Sequence, residues 1–190
     1  MSIVHINSIL PKGYLDILNR GLTNSNKEIH AQLGRVSYEG VHRYIQENNI
    51  QDILLKNINN LIEKPLHISS ISCVEYSSLY GKPNLPPHLD GDKTEMIAVI
   101  QLESNTVWNV GLNFQVYEMK DNSALIFNPN KEVHWRTHKE FSDGEYVKML
   151  FVRLFDPLMI INYTDISRNE MNYPDVCKFR DSYDATIHTL

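Results

Sequence analysis

Residues 86–92 read Pro-Pro-His-Leu-Asp-Gly-Asp, and the interpretation of the whole chain turns on them. In extended backbone, residues i and i+2 point to the same side, so His88 and Asp90 project together. A second imidazole brought alongside would complete a two-histidine, one-carboxylate face. Such a face suits a ferrous ion and leaves the opposite coordination positions open. His134 is the candidate for that imidazole. A lone His-x-Asp is close to a chance event in a chain with 8 histidines, and His138-Lys139-Glu140 offers a rival pairing. Context separates the two. His88 and Asp90 lie between a proline-rich loop and a strongly apolar segment, whereas His138 sits in a polar stretch before Asp143-Gly144, as in a solvated turn. His138 is therefore the fallback ligand.

The flanks predict strands on both sides. Residues 66–77 (LHISSISCVEYS) are rich in β-branched residues and alternate, as a half-buried strand does. Residues 81–87 hold three prolines and must be a loop. Residues 96–102 (MIAVIQL) form a continuous apolar run, expected of a strand covered on both faces. Residues 112–119 alternate, Asp121-Asn122 makes a turn, and residues 123–127 (SALIF) predict another buried strand. Residues 146–155 (YVKMLFVRLF) are the longest strand candidate.

The first third differs. Residues 1–10 could form an edge strand, and Pro11 opens a short amphipathic helix that closes near Gly21. Residues 22–40 read as loop with one short strand. From Val41 to Glu63 apolar residues recur at helical spacing, giving one long helix or two joined near Asn48-Asn49, stopped before Pro65. Helices followed by many short strands predict a mainly β, α+β architecture, a sandwich or jelly roll backed by helices. The expected organisation is one domain over 1–190. Its parts are a helical portion at 1–65, a β core at 66–163 and a polar, aromatic tail at 164–190.

Composition narrows the partners. The 190 residues (22.1 kDa) carry a net charge of −5, so no bulk electrostatic force drives the chain toward nucleic acid or an anionic membrane. Cys73 and Cys177 lack metal-type spacing and suggest a reducing compartment. There is no signal-peptide pattern and no membrane-length apolar run, so the expectation is a soluble, cytoplasmic protein. Glycine-rich phosphate loops, Gly-x-Ser-x-Gly elbows, paired CxxC and His-Glu-x-x-His are all absent.

The order Tyr76, Tyr80, Pro87-His88-Leu89-Asp90, Ser123 to Phe127, His134-Trp135-Arg136 and the strand from Lys148 to Arg153 resembles the iron(II)/2-oxoglutarate-dependent dioxygenase superfamily. The likeness is strongest to its small, prolyl-hydroxylase-like branch and covers roughly residues 70–155. It implies a double-stranded β-helix (jelly roll) in which His88, Asp90 and His134 hold Fe(II). It also implies a reaction that uses O₂, decarboxylates 2-oxoglutarate to succinate and hydroxylates a prolyl or other peptidyl residue. A free amino acid or other small molecule is the alternative substrate, with a nucleobase behind it. A cupin-like, non-enzymatic metal-binding jelly roll is the rival from another class.

The distal carboxylate of 2-oxoglutarate wants a basic partner, which the family commonly places on the last barrel strand. The family's usual Gly-x-Arg/Lys falls here on Gly144-Glu145-Tyr146, a departure. Arg136 and Lys148 are the leading candidates, with Arg153 behind. Lys148 and Arg153 have odd spacing, so on a regular strand only one of them can face inward. Tyr76 and Tyr80 are candidates to give a hydroxyl to the co-substrate. Asp92 and Lys93 could rim the mouth, and Trp108, Asn109 and Asn113 could lie on a hairpin near the substrate. Oligomeric state is not legible.

Overall fold

The computed structural model describes residues 3–90 and 94–157. The expectations for Asp92, Lys93, Cys177 and the tail at 164–190 fall outside the described residues. Strand β1 (Val4–Ile6) is followed by α1 (Lys12–Thr23), then β2 (Lys27–His30) and β3 (Arg35–Tyr38). Helices α2 (Val41–Glu47) and α3 (Ile50–Ile62) lead into β4 (His67–Ser77). The remaining strands are β5 (Met96–Ser104), β6 (Val110–Leu112), β7 (Gln115–Tyr117), β8 (Ala124–Phe127), β9 (His134–Arg136) and β10 (Tyr146–Phe155).

These strands form two antiparallel sheets, the double-stranded β-helix of the expectation. The larger has the order β1-β8-β5-β10-β4-β3-β2, and the smaller β7-β6-β9. A bridge between His88 and His134 adds the 85–88 segment beside β9. One core lies between the helices and the large sheet: Leu18, Leu22, Ile45, Ile50, Leu54 and Ile58 pack on Ala98, Ile100, Leu150 and Val152. The other lies between the sheets, with Val74, Tyr76, Ile97, Val99, Leu125, Phe127, Val147 and Met149 facing Trp108 and Leu112. The central β5 is thus covered on both faces, which accounts for its unbroken apolar run.

The stretch 41–63 is two helices. Asn49 adopts a left-handed φ of 57° between them, a conformation asparagine tolerates better than most residues. Ile50, Leu54 and Ile58, one turn apart, then form the buried stripe of α3. Residues 22–40 hold more structure than expected. Two strands, β2 and β3, form a hairpin, and β3 pairs with β4, extending the large sheet. Gly34 (φ 57°) turns the chain into β3 where a Cβ would come within 2.3 Å of the Pro83 backbone nitrogen. The hairpin is thereby packed against the loop that leads to His88. Among the described residues no helix is long and apolar enough to cross a membrane.

Candidate metal centre

The backbone brings the candidate donors together before the side chains do. His88 and His134 exchange backbone hydrogen bonds in both directions, at 3.1 and 3.0 Å. Two residues on, the Asp90 backbone N–H donates to the Pro129 carbonyl at 3.0 Å, in the Asn128-Pro129-Asn130 turn that leads into β9. A short proline-rich segment is therefore pinned along β9, with His88 and Asp90 on the same side as His134.

The three side chains converge. Their candidate donor atoms all lie within 4.8 Å of one another. Asp90 Oδ1 is 3.5 Å from His88 Nε2 and 3.3 Å from His134 Nε2, and the two rings are 4.2 Å apart. Each histidine has its Nδ1 beside a backbone carbonyl, Pro86 at 2.8 Å for His88 and Glu132 at 3.1 Å for His134. A neutral ring that donates from Nδ1 turns a bare Nε2 lone pair toward Asp90, the second-shell arrangement typical of metal-ligating histidines. Two lone pairs and a carboxylate facing one another repel unless a cation sits between them. Burial would raise the Asp90 carboxyl, but hydrogen bonds from His134 and His88 outweigh it and hold the group well below the usual carboxylate range. The donor set fits a divalent first-row metal such as ferrous iron. His138, the fallback, is outside the cluster.

Beside the three candidate donors is a cavity of about 190 Å³. Its walls include Ile97, Val99 and Phe151 from the large sheet and Leu85 from the proline-rich loop, and its polar lining includes Tyr76, Arg35 and Arg153. Strand parity decides which expected residues reach it. On β10, Met149 and Phe151 face the inter-sheet core, so Arg153 faces the cavity. Lys148, with Leu150 and Val152, faces the other way. Its ammonium is 2.7 Å from Glu103 and holds that carboxyl below its ordinary range. Lys148 is thus corrected from a co-substrate candidate to a structural ion pair.

Tyr80 needs the same correction. Its hydroxyl donates to Glu75 at 3.0 Å, beside the Tyr38–Glu75 hydrogen bond, and it does not line the cavity. Burial and Glu75 push the Tyr80 phenol up to about 12. Tyr76, next to Glu75 and of opposite parity, does line the cavity and packs edge-on to Trp108 at 4.9 Å. Arg136 shares the His134 face of β9 but lies behind the lining, 2% exposed. It donates from Nη1 to the Trp108 carbonyl and lies over that indole, while its Nη2 is buried with no partner. Burial lowers the guanidinium to about 10, so it remains charged at neutral pH. The sequence reading missed Arg35. It reaches the cavity from β3, and the only signal was the Arg-Val-Ser-Tyr alternation of that strand.

No protein-family model matches the chain, and no curated protein matches it in sequence. Solved structures do match in fold. The chain is similar to the non-heme α-ketoglutarate-dependent epimerase SnoN from nogalamycin biosynthesis (TM-score 0.63, 12% identity, 81% of this chain and 77% of that one). It is similar to a 2OG-Fe(II) oxygenase family oxidoreductase from Burkholderia pseudomallei (TM-score 0.62, 9% identity, 80% and 84%). A third match is a Trichoplax adhaerens prolyl hydroxylase solved with a hypoxia-inducible-factor peptide (TM-score 0.53, 12% identity, 80% and 82%). These likenesses establish the fold: a jelly roll of the kind found in the 2-oxoglutarate–iron oxygenases.

Proposed function

We propose that this protein is an Fe(II)/2-oxoglutarate-dependent oxygenase, a hydroxylase whose iron is held by His88, Asp90 and His134. The observation that carries the reading is the convergence of these three donors beside a cavity in a jelly-roll barrel. Bound there, ferrous iron would supply the O₂ activation that couples decarboxylation of 2-oxoglutarate to oxidation of a C–H bond.

The chain's own residues set up the rest. The Pro86 and Glu132 carbonyls hold both rings as neutral Nε2 ligands, and Asp90 supplies the single negative charge. Ile97, Val99, Phe151 and Leu85 give the cavity apolar walls that exclude water from the reacting centre. Tyr76, with Arg136 behind it, makes the buried end of the site positive and hydrogen-bonding, suited to the co-substrate's far carboxylate. His88 at 34% side-chain exposure marks the open side, from which a second substrate enters. For that substrate we retain the prolyl or other peptidyl residue, supported by the fold shared with a peptide-bound prolyl hydroxylase.

The test is succinate release from 2-oxoglutarate by the purified protein with Fe(II) and ascorbate, over a panel of peptides, free amino acids and small metabolites. Iron-dependent turnover that is lost in His88→Ala and Asp90→Ala is expected. Turnover that persists in either variant would overturn the ligand assignment. A protein stabilised by metal but indifferent to 2-oxoglutarate would instead be the cupin-like binding module.

A further inference from the structure

Arg35 belongs to β3, near the edge of the large sheet that the N-terminal hairpin adds, and it lines the cavity. We propose that Arg35, together with the Tyr76 hydroxyl, receives the distal carboxylate of 2-oxoglutarate. The anchor then comes from β3 rather than from the last barrel strand. This assignment rests on the oxygenase reading above.

One edge of the Arg35 guanidinium has no protein partner at Nε. Its Nη1 donates to the Tyr76 hydroxyl at 3.1 Å, which fixes the plane of the guanidinium. The opposite edge, Nε with Nη2, is the side-on fork that matches a carboxylate with two parallel hydrogen bonds. Nε is buried and has no acceptor. Among the described residues no carboxylate lies within ion-pair distance of this side chain, although Glu75 is its near neighbour on the far face of β4. An arginine that lines a cavity beside three candidate metal donors, and that holds a buried donor no protein acceptor uses, is a site for an anion.

Depth also separates the candidates. Arg136 lies two residues beyond His134 on the same face of β9, about 7 Å further into the barrel. The Trp108 ring lies 4.9 Å from the Arg136 guanidinium carbon and 4.9 Å from the Tyr76 ring, so Tyr76 stands at the Arg136 level, one strand step below the metal donors. A five-carbon dicarboxylate that chelates through its keto-acid end sends its other carboxylate about that far. Arg153 is placed differently. It pairs in register with Ile97, and Ile97 with Phe127, whose ring packs 5.0 Å from His134. Arg153 is level with the ligands, not below them. The β10 residue that pairs with Tyr76 is Val147, which has no donor to offer.

The experiment compares 2-oxoglutarate with 2-oxopentanoate, which lacks only the distal carboxylate. Binding of each to the full-length protein is measured calorimetrically with Mn²⁺ in place of iron. Wild type should prefer 2-oxoglutarate on the order of a hundredfold, the value of a charged fork. Arg35→Gln should remove that preference while leaving Mn²⁺ affinity and 2-oxopentanoate binding unchanged. Arg35→Lys keeps the charge but not the fork, so it should keep only part of the preference, and it serves if the glutamine variant does not fold. Arg153→Gln should lose less of the preference than either. If both Arg35 variants retain the preference, or Arg153→Gln loses more of it than they do, the assignment to Arg35 is overturned and the oxygenase reading stands. If wild type shows no metal-dependent binding of 2-oxoglutarate, both fall.

Discussion

His88 and His134 are joined by two backbone hydrogen bonds, so the two imidazoles are registered by the main chain rather than by each other. The proposed ligand side chains can then be cut back without dismantling the frame that presents them. His88→Ala, Asp90→Ala and His134→Ala should each lower Mn²⁺ or Fe²⁺ affinity by more than the ten- to hundredfold typical of losing a supporting residue. The thermal midpoint of the metal-free protein should stay within a few degrees of wild type, because none of these side chains belongs to either apolar core. Calorimetric titration and a melting curve measure the two quantities. An unfolded Asp90→Ala protein would show that the carboxylate is structural.

Asp90 depends on a turn. Its backbone N–H is held by the Pro129 carbonyl, and that turn is shaped by the Asn128 side chain, whose Oδ1 accepts from the Asn130 N–H at 3.0 Å. Asparagine bonding to the backbone two residues on is a local device that alanine cannot copy. Asn128→Ala should therefore weaken metal binding by roughly tenfold while touching none of the ligands. An unchanged affinity would mean that Pro129 holds the turn by itself.

The proximity of the three candidate donors was legible because its signals are local. His88 and Asp90 share one side of an extended segment, and β5 and β8 announce themselves as apolar runs. The basic residues were not legible, for a reason that parity makes plain. β10 is apolar on both faces, so nothing in YVKMLFVRLF tells which of Lys148 and Arg153 points inward; packing against the helices decides it. Arg35 was hidden more deeply. It lies far from His88 in the chain, in a hairpin whose outer strand β2 is largely exposed, and only the pairing of β3 with β4 brings it beside Tyr76. Long-range strand order is what a single sequence expresses least.

The Lys148–Glu103 pair, on the face of β10 turned away from the cavity, can be tested through pH. The Lys148 ammonium depresses the Glu103 carboxyl, so the pair's contribution is fully present above the unfolded carboxylate value of about 4.3. It is lost as the pH falls through the lower folded value. Glu103 is partly exposed, so the contribution should be no more than about 1 kcal/mol. Lys148→Met should melt slightly below wild type at neutral pH, and the gap should close as the solution is acidified. Metal-dependent 2-oxoglutarate binding should be unchanged, and a large loss there would return Lys148 to the site.

Gly34 ties the N-terminal hairpin to the loop that carries the site, and its substitution should separate the two halves of the proposed chemistry. Its φ of 57° is left-handed, which costs a residue with a side chain about 1–2 kcal/mol. A Cβ would also meet the backbone of Pro83 at 2.3 Å and of Lys82 at 2.4 Å, neither of which is the yielding end of a flexible side chain. The Gly34 carbonyl accepts from the Ser77 N–H, so β3 and the end of β4 shift together if the contact is forced apart. Gly34→Ala should therefore destabilise the protein by about 2–4 kcal/mol in all. At temperatures where it stays folded, the displacement falls on Arg35, the next residue, whereas His88, Asp90 and His134 are held by β9 and the 128–130 turn. Metal affinity should survive, and the preference for 2-oxoglutarate over 2-oxopentanoate should shrink. The reverse pattern, with metal lost and the preference kept, would mean that the loop through Pro83, not the hairpin, absorbs the strain.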